Sequence, residues 1–217
     1  KDVRLMLAKR RVQVDGVHIS DVSHLVNPFS VVCLDGEILQ DRVAHYLMLN
    51  KPPGVVSATV DSKHTTVIDL LDHPDKNQLH LVGRLDFNST GLVLLTNDGA
   101  WSRRLAKPEH QMKKHYRVAV EKPISHEYID AFEQGMYFEY EDITTRPAEL
   151  IIVGDFEAEV SLVEGRYHQI KRMFGRFDNK VLSLERYAIG PLMLDSGLML
   201  GESRALTSTE LDSLEEI

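Results

Sequence analysis

Residues Gly91-Leu-Val-Leu-Leu-Thr96 form an unbroken apolar run of strand length, closed by Asn97-Asp98-Gly99. Alternation would mark a strand with one wet face; a continuous run marks a strand buried within a sheet. A chain of 217 residues is long enough to bury such a sheet without covalent staples. Tyr46-Leu-Met-Leu-Asn50 is a second run of strand length. It leads into Lys51-Pro-Pro-Gly54, which must leave the sheet because proline cannot donate a ladder hydrogen bond. This tetrapeptide reads as a structural loop rather than a contact site. His115–Val120 alternates like a strand, and further strands are predicted at Ala148–Val153, Ala158–Val163, Val181–Tyr187 and Leu192–Leu194.

Helices are predicted at Thr66–Leu71, at Ala100–Lys107 stopped by Pro108, and at Ser125–Gln134 with Ser125 as N-cap and Gly135 as stop. Tyr167–Phe177 carries Ile170, Met173, Phe174 and Phe177 at amphipathic helical spacing. A last helix follows Thr207, with Glu210 completing a capping box. Asp98-Gly99 reads as turn and helix cap. Residues 1–11 have helical composition, Asp15-Gly16 signals a hairpin, Asn27-Pro28 a turn, and Val31–Leu34 a short strand ended by Asp35-Gly36. Glu37–Ala44 is polar and receives no element. The fold class is α+β, with a mainly antiparallel sheet and flanking helices. A domain boundary is placed near Ala44, giving domains 1–44 and 45–217.

Composition removes several classes of protein. Apolar residues make up 43% and charged residues 27%, which is ordinary globular usage and not that of a disordered chain. No apolar run approaches the roughly 20 residues of a membrane-spanning helix, and no signal peptide is seen, although Lys1 need not be the natural start. The single cysteine, Cys33, cannot form an intrachain disulfide or nucleate a thiolate metal site, which fits a reducing cytoplasm. No phosphate-binding Gly-rich loop, Gly-x-Ser-x-Gly elbow or His-Glu-x-x-His is present, and no metal site is expected.

The net charge of −8 conceals segregation. Trp101–Arg117 holds Arg103, Arg104, Lys107, Lys113, Lys114 and Arg117 against Glu109 alone. Arg166–Arg176 holds Arg166, Lys171, Arg172 and Arg176 with no acid, and Lys1–Arg11 is also basic. Between these blocks, Glu121–Glu164 has twelve acids and two bases. Solvated helix faces would give such blocks, and so would a groove that binds phosphates.

Three segments combine polar chemistry with defined elements: Gly83-Arg-Leu-Asp86 before the buried strand, Lys114-His-Tyr-Arg117 in a basic strand, and Glu164–Arg172 entering a helix. By pattern alone Asp86 could be a turn residue or a partner of Arg84, Tyr116 a half-buried strand aromatic, and Lys171 a solvated helix position. Periodicity does not choose between these readings and catalytic ones.

His80-Leu-Val-Gly-Arg-Leu-Asp-Phe-Asn-Ser-Thr-Gly-Leu-Val-Leu-Leu-Thr-Asn-Asp-Gly99 resembles the catalytic motif of the RsuA/RluB/RluE/RluF family of RNA pseudouridine synthases. Leu47–Gly54, Lys114-His-Tyr116 and Glu164-Gly-Arg-Tyr-His-Gln-Ile-Lys-Arg-Met-Phe174 resemble its other motifs in order. The resemblance runs from Tyr46 to the C-terminus. It is closest to the RsuA branch, which modifies the small ribosomal subunit, through Trp101-Ser102, Pro108-Glu-His110, Tyr167-His-Gln-Ile-Lys171 and Leu206-Thr-Ser-Thr-Glu210. Residues 1–44 resemble the later part of an S4-type RNA-binding domain without its usual first helix, so the chain is expected to begin inside that domain.

The resemblance implies a cytoplasmic isomerase that converts a uridine of 16S rRNA, at position 516, to pseudouridine during ribosome biogenesis. The N1–C1′ bond breaks, the uracil turns, and C5 joins C1′; nothing is added or removed, so no cofactor is required. It implies Asp86 as the catalytic aspartate, Lys171 as its basic partner and Tyr116 as the active-site tyrosine. Lysine stands at 171 where many other pseudouridine synthases have arginine, and it makes a less rigid, non-bidentate partner. Ile170 would pack on the target base and Arg84 would hold the backbone or fill the vacated stack. Arg103, Arg104, Lys113, Lys114, Arg166, His168, Gln169 and Arg172 are candidate RNA contacts. The implied partner is 16S rRNA or a small-subunit assembly intermediate, met by a monomer. Alternatives are a relative acting on 23S rRNA or tRNA, and a ribosome-assembly factor that binds RNA without chemistry. A two-carboxylate glycosidase using Asp86 and Asp98 explains neither Tyr116 nor the Gln169-Ile-Lys171 helix.

Overall fold

A computed structural model describes residues 2–215. The chain divides into two compact units, one ending at Ala44 and one beginning at His45.

The smaller unit opens with α1 (Val3–Ala8) and continues with β1 (Val12–Val14), β2 (Val17–His18), β3 (Val32–Leu34) and β4 (Glu37–Gln40). They pair antiparallel in the order β2-β1-β3-β4. Asp15-Gly16 and Asp35-Gly36 join successive strands with both residues at positive φ, the two-residue turn whose twist matches a hairpin. An ion pair between Arg11 and Asp35 ties the end of the helical segment to the second turn. Strand β4 lies in the polar stretch that received no element. It is an exposed strand with Ile38 and Leu39 both more than half exposed, so burial imposes no alternation on its sequence.

The larger unit contains β5 (Tyr46–Lys51), β6 (His80–Val82), β7 (Thr90–Thr96), α2 (Gly99–Ala106), β8 (Lys114–Val120) and α3 (Glu127–Gln134). It continues with β9 (Tyr137–Phe138), β10 (Ile143–Thr144), β11 (Glu149–Gly154), β12 (Glu157–Leu162) and α4 (Gln169–Gly175). It ends with β13 (Val181–Ile189), β14 (Leu192–Met193), β15 (Ser203–Ala205) and α5 (Ser208–Glu215). The main sheet runs β11-β12-β8-β13-β7-β5-β15, with β14 on β13 and β6 on β7. Every pairing is antiparallel except β13 with β7, so the class is α+β with a mainly antiparallel sheet.

The continuous apolar runs are explained by two cores, one on each face. In β7, Val93 and Leu95 join Leu47, Leu49, Tyr116, Phe132 and Phe174, whereas Leu92 and Leu94 join Met48, Trp101 and Leu105. Successive residues point to opposite faces, so both faces need apolar side chains.

Several boundaries differ from expectation. Thr66–Leu71 is a turn and not a helix. The Asp69 carboxylate accepts from the Thr66 N–H (2.8 Å) and hydroxyl (2.9 Å), and Val67 N–H donates to Val56 O (3.0 Å). These bonds hold one turn against an extended segment, and one turn does not repay helix nucleation. Helix α3 begins two residues after Ser125, which is not its N-cap: its hydroxyl donates to the Glu127 carboxylate (3.0 Å), and His126 holds the cap position. Helix α4 is shorter than the amphipathic segment, but Ile170, Met173 and Phe174 are buried as their spacing predicts, and Phe177 stacks on Tyr128 at 3.9 Å. Strands β6, β9, β10 and β15 have two or three residues each, too few to display a period.

Asp98 caps α2, its Oδ1 accepting from Ala100 N–H (2.8 Å) and Trp101 N–H (3.1 Å). At α5 the capping box is complete: Thr207 N–H donates to Glu210 Oε2 (2.8 Å) and Glu210 N–H to Thr207 Oγ1 (3.2 Å). Arg204 donates to both Glu210 oxygens (2.7 and 2.8 Å) and to Asp195 (2.6 Å). The Arg204 bonds, followed by those of Thr207, hold the Glu210 carboxyl down at about 2 from its ordinary 4.5. Because the folded value is depressed, this contribution is complete above pH 4.5 and is lost as pH falls towards 2. Glu210→Gln is expected to lower the unfolding free energy by about 1–2 kcal/mol at pH 7. Urea unfolding at a series of pH values should show the difference from wild type closing below pH 4.5.

Candidate active site

The loop between β6 and β7 carries Asp86, and almost every residue in it is tied down. Gly83 turns the chain at φ +79°. Ser57 Oγ donates to Leu85 O (2.7 Å) and accepts from Leu85 N–H (3.1 Å). Ser89 N–H donates back to Asp86 O (3.1 Å) and Gly54 N–H to Phe87 O (2.9 Å). Two fully buried cations complete the clamp. Lys51 Nζ donates to Pro52 O (3.0 Å), Phe87 O (3.1 Å) and Ser89 O (2.9 Å). Arg186, on β13, donates through Nε to Leu92 O (2.8 Å) and through Nη1 to Arg84 O (3.4 Å).

Burial pushes the Lys51 ammonium down to about 8; nearby Asp86 opposes the shift and Lys171 adds to it. The unfolded chain keeps this proton up to about pH 10.5, so Lys51 adds to stability as pH rises from 8 to 10.5. Lys51→Met takes the donor from three carbonyls, of which Phe87 O keeps Gly54 N–H. We expect a loss of about 1–3 kcal/mol at pH 7, growing above pH 8, measured by urea unfolding.

Asp86 Oδ2 lies 3.0 Å from Lys171 Nζ, and Oδ1 lies 3.6 Å from His168 Nε2. Lys171 and His168 come from the start of α4, where His168 occupies the left-handed region at φ +50°, as six other non-glycine residues among those described also do. Beside them opens a cavity of about 470 Å³, the size of a small-molecule site. Its walls include Tyr116 from β8 and Ile170 from α4, both buried, with Arg84, Arg166 and His168 as polar groups. Gln169 also lines it, but its amide is engaged locally, accepting from Arg166 N–H (3.1 Å) and donating to Glu164 (2.8 Å). This is an oriented carboxylate, paired with a cation, at the edge of a cavity lined by Phe87, Tyr116 and Tyr167 and by several aliphatic side chains. It can present an oxygen to an electrophilic carbon of a ligand in that cavity.

Of the other basic candidates, Lys114 and Arg166 line an adjoining cavity of about 340 Å³ together with Lys107, Arg146 and Glu164. Burial, reinforced by the charge of Arg186, holds the Lys114 ammonium below its ordinary value. Four of the candidate RNA contacts line neither cavity. Arg172 is committed to Glu141 (2.5 and 2.6 Å) and lies 3.7 Å over the Phe138 ring. Arg104 pairs with Glu215 (2.6 Å) and Lys113 with Glu149 (3.6 Å). Arg103 lines none of these cavities. Conversely, of the clamp residues the sequence placed Lys51 only in a structural loop and gave Ser57 and Arg186 no role. The available signal was a cation closing the strand-length run Tyr46–Asn50: Lys51 does not leave the sheet with Pro52-Pro-Gly54, as expected, but is the last residue of β5 and pairs with Gly91.

Residues 45–175 match the family model for RNA pseudouridylate synthase. A "Ribosomal small subunit pseudouridine synthase A" of Pseudomonas aeruginosa is 48% identical over 215 residues, 99% of this chain and 94% of the relative. Its namesake in Escherichia coli is 41% identical over 205 residues, 94% and 89% of the two chains. A solved structure titled "Crystal structure of pseudouridylate synthase" superposes with a TM-score of 0.76 at 36% identity, covering 97% of this chain and 91% of the other. The chain, an enzyme with its carboxylate–lysine pair beside this cavity, belongs to the RNA pseudouridylate synthase family.

Proposed function

We propose that this protein isomerises one uridine of 16S rRNA, position 516, to pseudouridine. The observation that carries the reading is the Asp86–Lys171 pair at 3.0 Å beside the cavity walled by Tyr116 and Ile170. The small-subunit names of relatives at 41–48% identity support the choice of RNA. Asp86 drives cleavage of the N1–C1′ bond, the uracil turns while held between Tyr116 and Ile170, and C5 bonds to C1′. The proton on C5 then leaves and N1 gains one, so the product is an isomer. Tyr116 stacks on the base, and its hydroxyl handles the C5 proton. Arg84 holds the backbone or fills the vacated stack. Flipping the nucleotide out costs a few kcal/mol, offset by phosphate contacts from Lys114 and Arg166. Residues 1–44 act as an S4-like RNA-binding element, and the protein works as a cytoplasmic monomer on 16S rRNA or a small-subunit assembly intermediate.

Carbodiimide-blocked primer extension on rRNA from cells lacking this protein tests the reading. The expected result is one missing 16S stop, restored by wild type and not by Asp86→Asn. A missing stop in 23S rRNA instead would keep the chemistry and overturn the target. In vitro, Tyr116→Phe should bind RNA within about threefold of wild type while turnover falls about 10²-fold or more, measured by product formation at saturating RNA. Loss of binding with turnover intact would remove the proton role.

A further inference from the structure

Tyr167 lines the catalytic cavity yet is 72% exposed. Its ring lies stacked on the His168 imidazole, with centroids 3.9 Å apart and planes 19° from parallel. His168 in turn reaches to 3.6 Å from the Asp86 carboxylate. One face of the phenol is therefore covered, and its exposed area is the opposite face and the rim. The backbone makes this arrangement at a cost: His168 sits at φ +50°, ψ +31°, in the left-handed region. Strain of this kind persists where neighbouring structure over-determines it, and it concentrates at ligand clamps. Exposure alone does not place an aromatic at the cavity: Tyr140 is 96% exposed and lines none of these cavities.

The place of Tyr167 limits what it can hold. The walls for the reacting base, Tyr116 and Ile170, are 7% and 4% exposed and belong to the interior. An aromatic at the mouth meets something else. When a nucleotide leaves its helix, the adjacent base loses a stacking partner and shows a bare face. An exposed, pre-stacked aromatic ring replaces that partner regardless of base identity. Arg84, which lines the same cavity, supplies a cation for a neighbouring phosphate, while Arg166 beside it is paired with Glu164 (3.0 Å).

We infer that Tyr167, backed by His168, is the stacking platform for the nucleobase next to the target uridine. The inference rests on the functional reading above and adds a positioning residue to it. The expected signature is in binding more than in chemistry. Tyr167→Ala should raise the Kd for RNA about 5- to 100-fold and leave turnover at saturating RNA within about threefold. Tyr167→Phe should match wild type, because the ring acts and not the hydroxyl.

The test uses the full chain and an RNA stem–loop containing the mapped uridine, with 2-aminopurine as its neighbour. Wild type should quench the 2-aminopurine fluorescence on binding, Tyr167→Phe should do the same, and Tyr167→Ala should not. Tyr140→Ala serves as the exposed-aromatic control and should behave as wild type. Wild-type Kd and quenching in Tyr167→Ala would overturn the inference, as would equal damage in the Ala and Phe variants. Pseudouridine formation by wild type in the same RNA separates the two levels. If wild type isomerises the RNA and Tyr167→Ala is unaffected, only the platform fails. If wild type does not isomerise it, the functional reading fails and the platform with it.

Discussion

Asp86→Asn is expected to lower turnover by at least about 10⁴-fold while RNA binding stays within about threefold. Asparagine matches aspartate in size but carries no charge and is a poor nucleophile, so whichever route Asp86 takes is closed. The loop should keep its shape, because it is held by backbone carbonyls on Lys51 and Arg186 and by Ser57, none of which touches the Asp86 carboxylate. Loss of the Lys171 pair should change stability by less than about 1 kcal/mol, since both side chains are partly solvated. Release of tritium from C5-labelled uridine in RNA measures turnover, and thermal unfolding measures folding. Substantial turnover in Asp86→Asn would displace Asp86 from its catalytic role.

The second large effect is structural. Gly91 faces Arg186 where β7 and β13 run parallel. A β-carbon on Gly91 would lie 2.3 Å from Arg186 O and 2.9 Å from Arg186 N, and the residue's φ is +101°. Both obstacles are backbone, and both strands are central in the sheet. Gly91→Ala must therefore push the strands apart and pull Arg186 from the Leu92 and Arg84 carbonyls. A loss of about 4 kcal/mol or more is expected. Gly83→Ala is the comparison: φ is +79°, but nothing lies within 4 Å of the added carbon, so only the backbone strain of about 1–2 kcal/mol applies. Urea unfolding of the two variants should separate them by several-fold in lost stability. A Gly91→Ala protein within 1 kcal/mol of wild type would show that the strands accommodate the methyl.

The elements visible in advance were those whose sequence reports a local or periodic constraint. The apolar runs of β5 and β7 record burial on two faces, and β8 records alternation. The Asp98 cap and the Thr207–Glu210 box are made within three residues, so spacing alone reveals them. Ser125 satisfied the same rule and failed it, because its hydroxyl found Glu127 instead. Strands β6, β9, β10 and β15 left no trace, since two or three residues cannot show a period.

The site divides in the same way. Asp86, Tyr116 and Lys171 sit in motifs whose order along the chain the family resemblance exposes. Pattern alone left each with an ordinary structural explanation. What the chain alone determined is therefore the strand framework, the local caps and the identity of the motifs, because each is written in neighbouring residues. Charge was not legible in this way. Arg104 and Arg172 look like free cations in sequence, but their partners Glu215 and Glu141 are 111 and 31 residues distant. Nothing local marks Lys51 and Arg186 as buried, yet they are the largest fully buried side chains among the described residues and hold the Asp86 loop by its carbonyls. Only the tertiary structure decides which cations face a ligand, a carboxylate or the protein's own backbone, because that depends on which distant segment the fold brings within 3 Å.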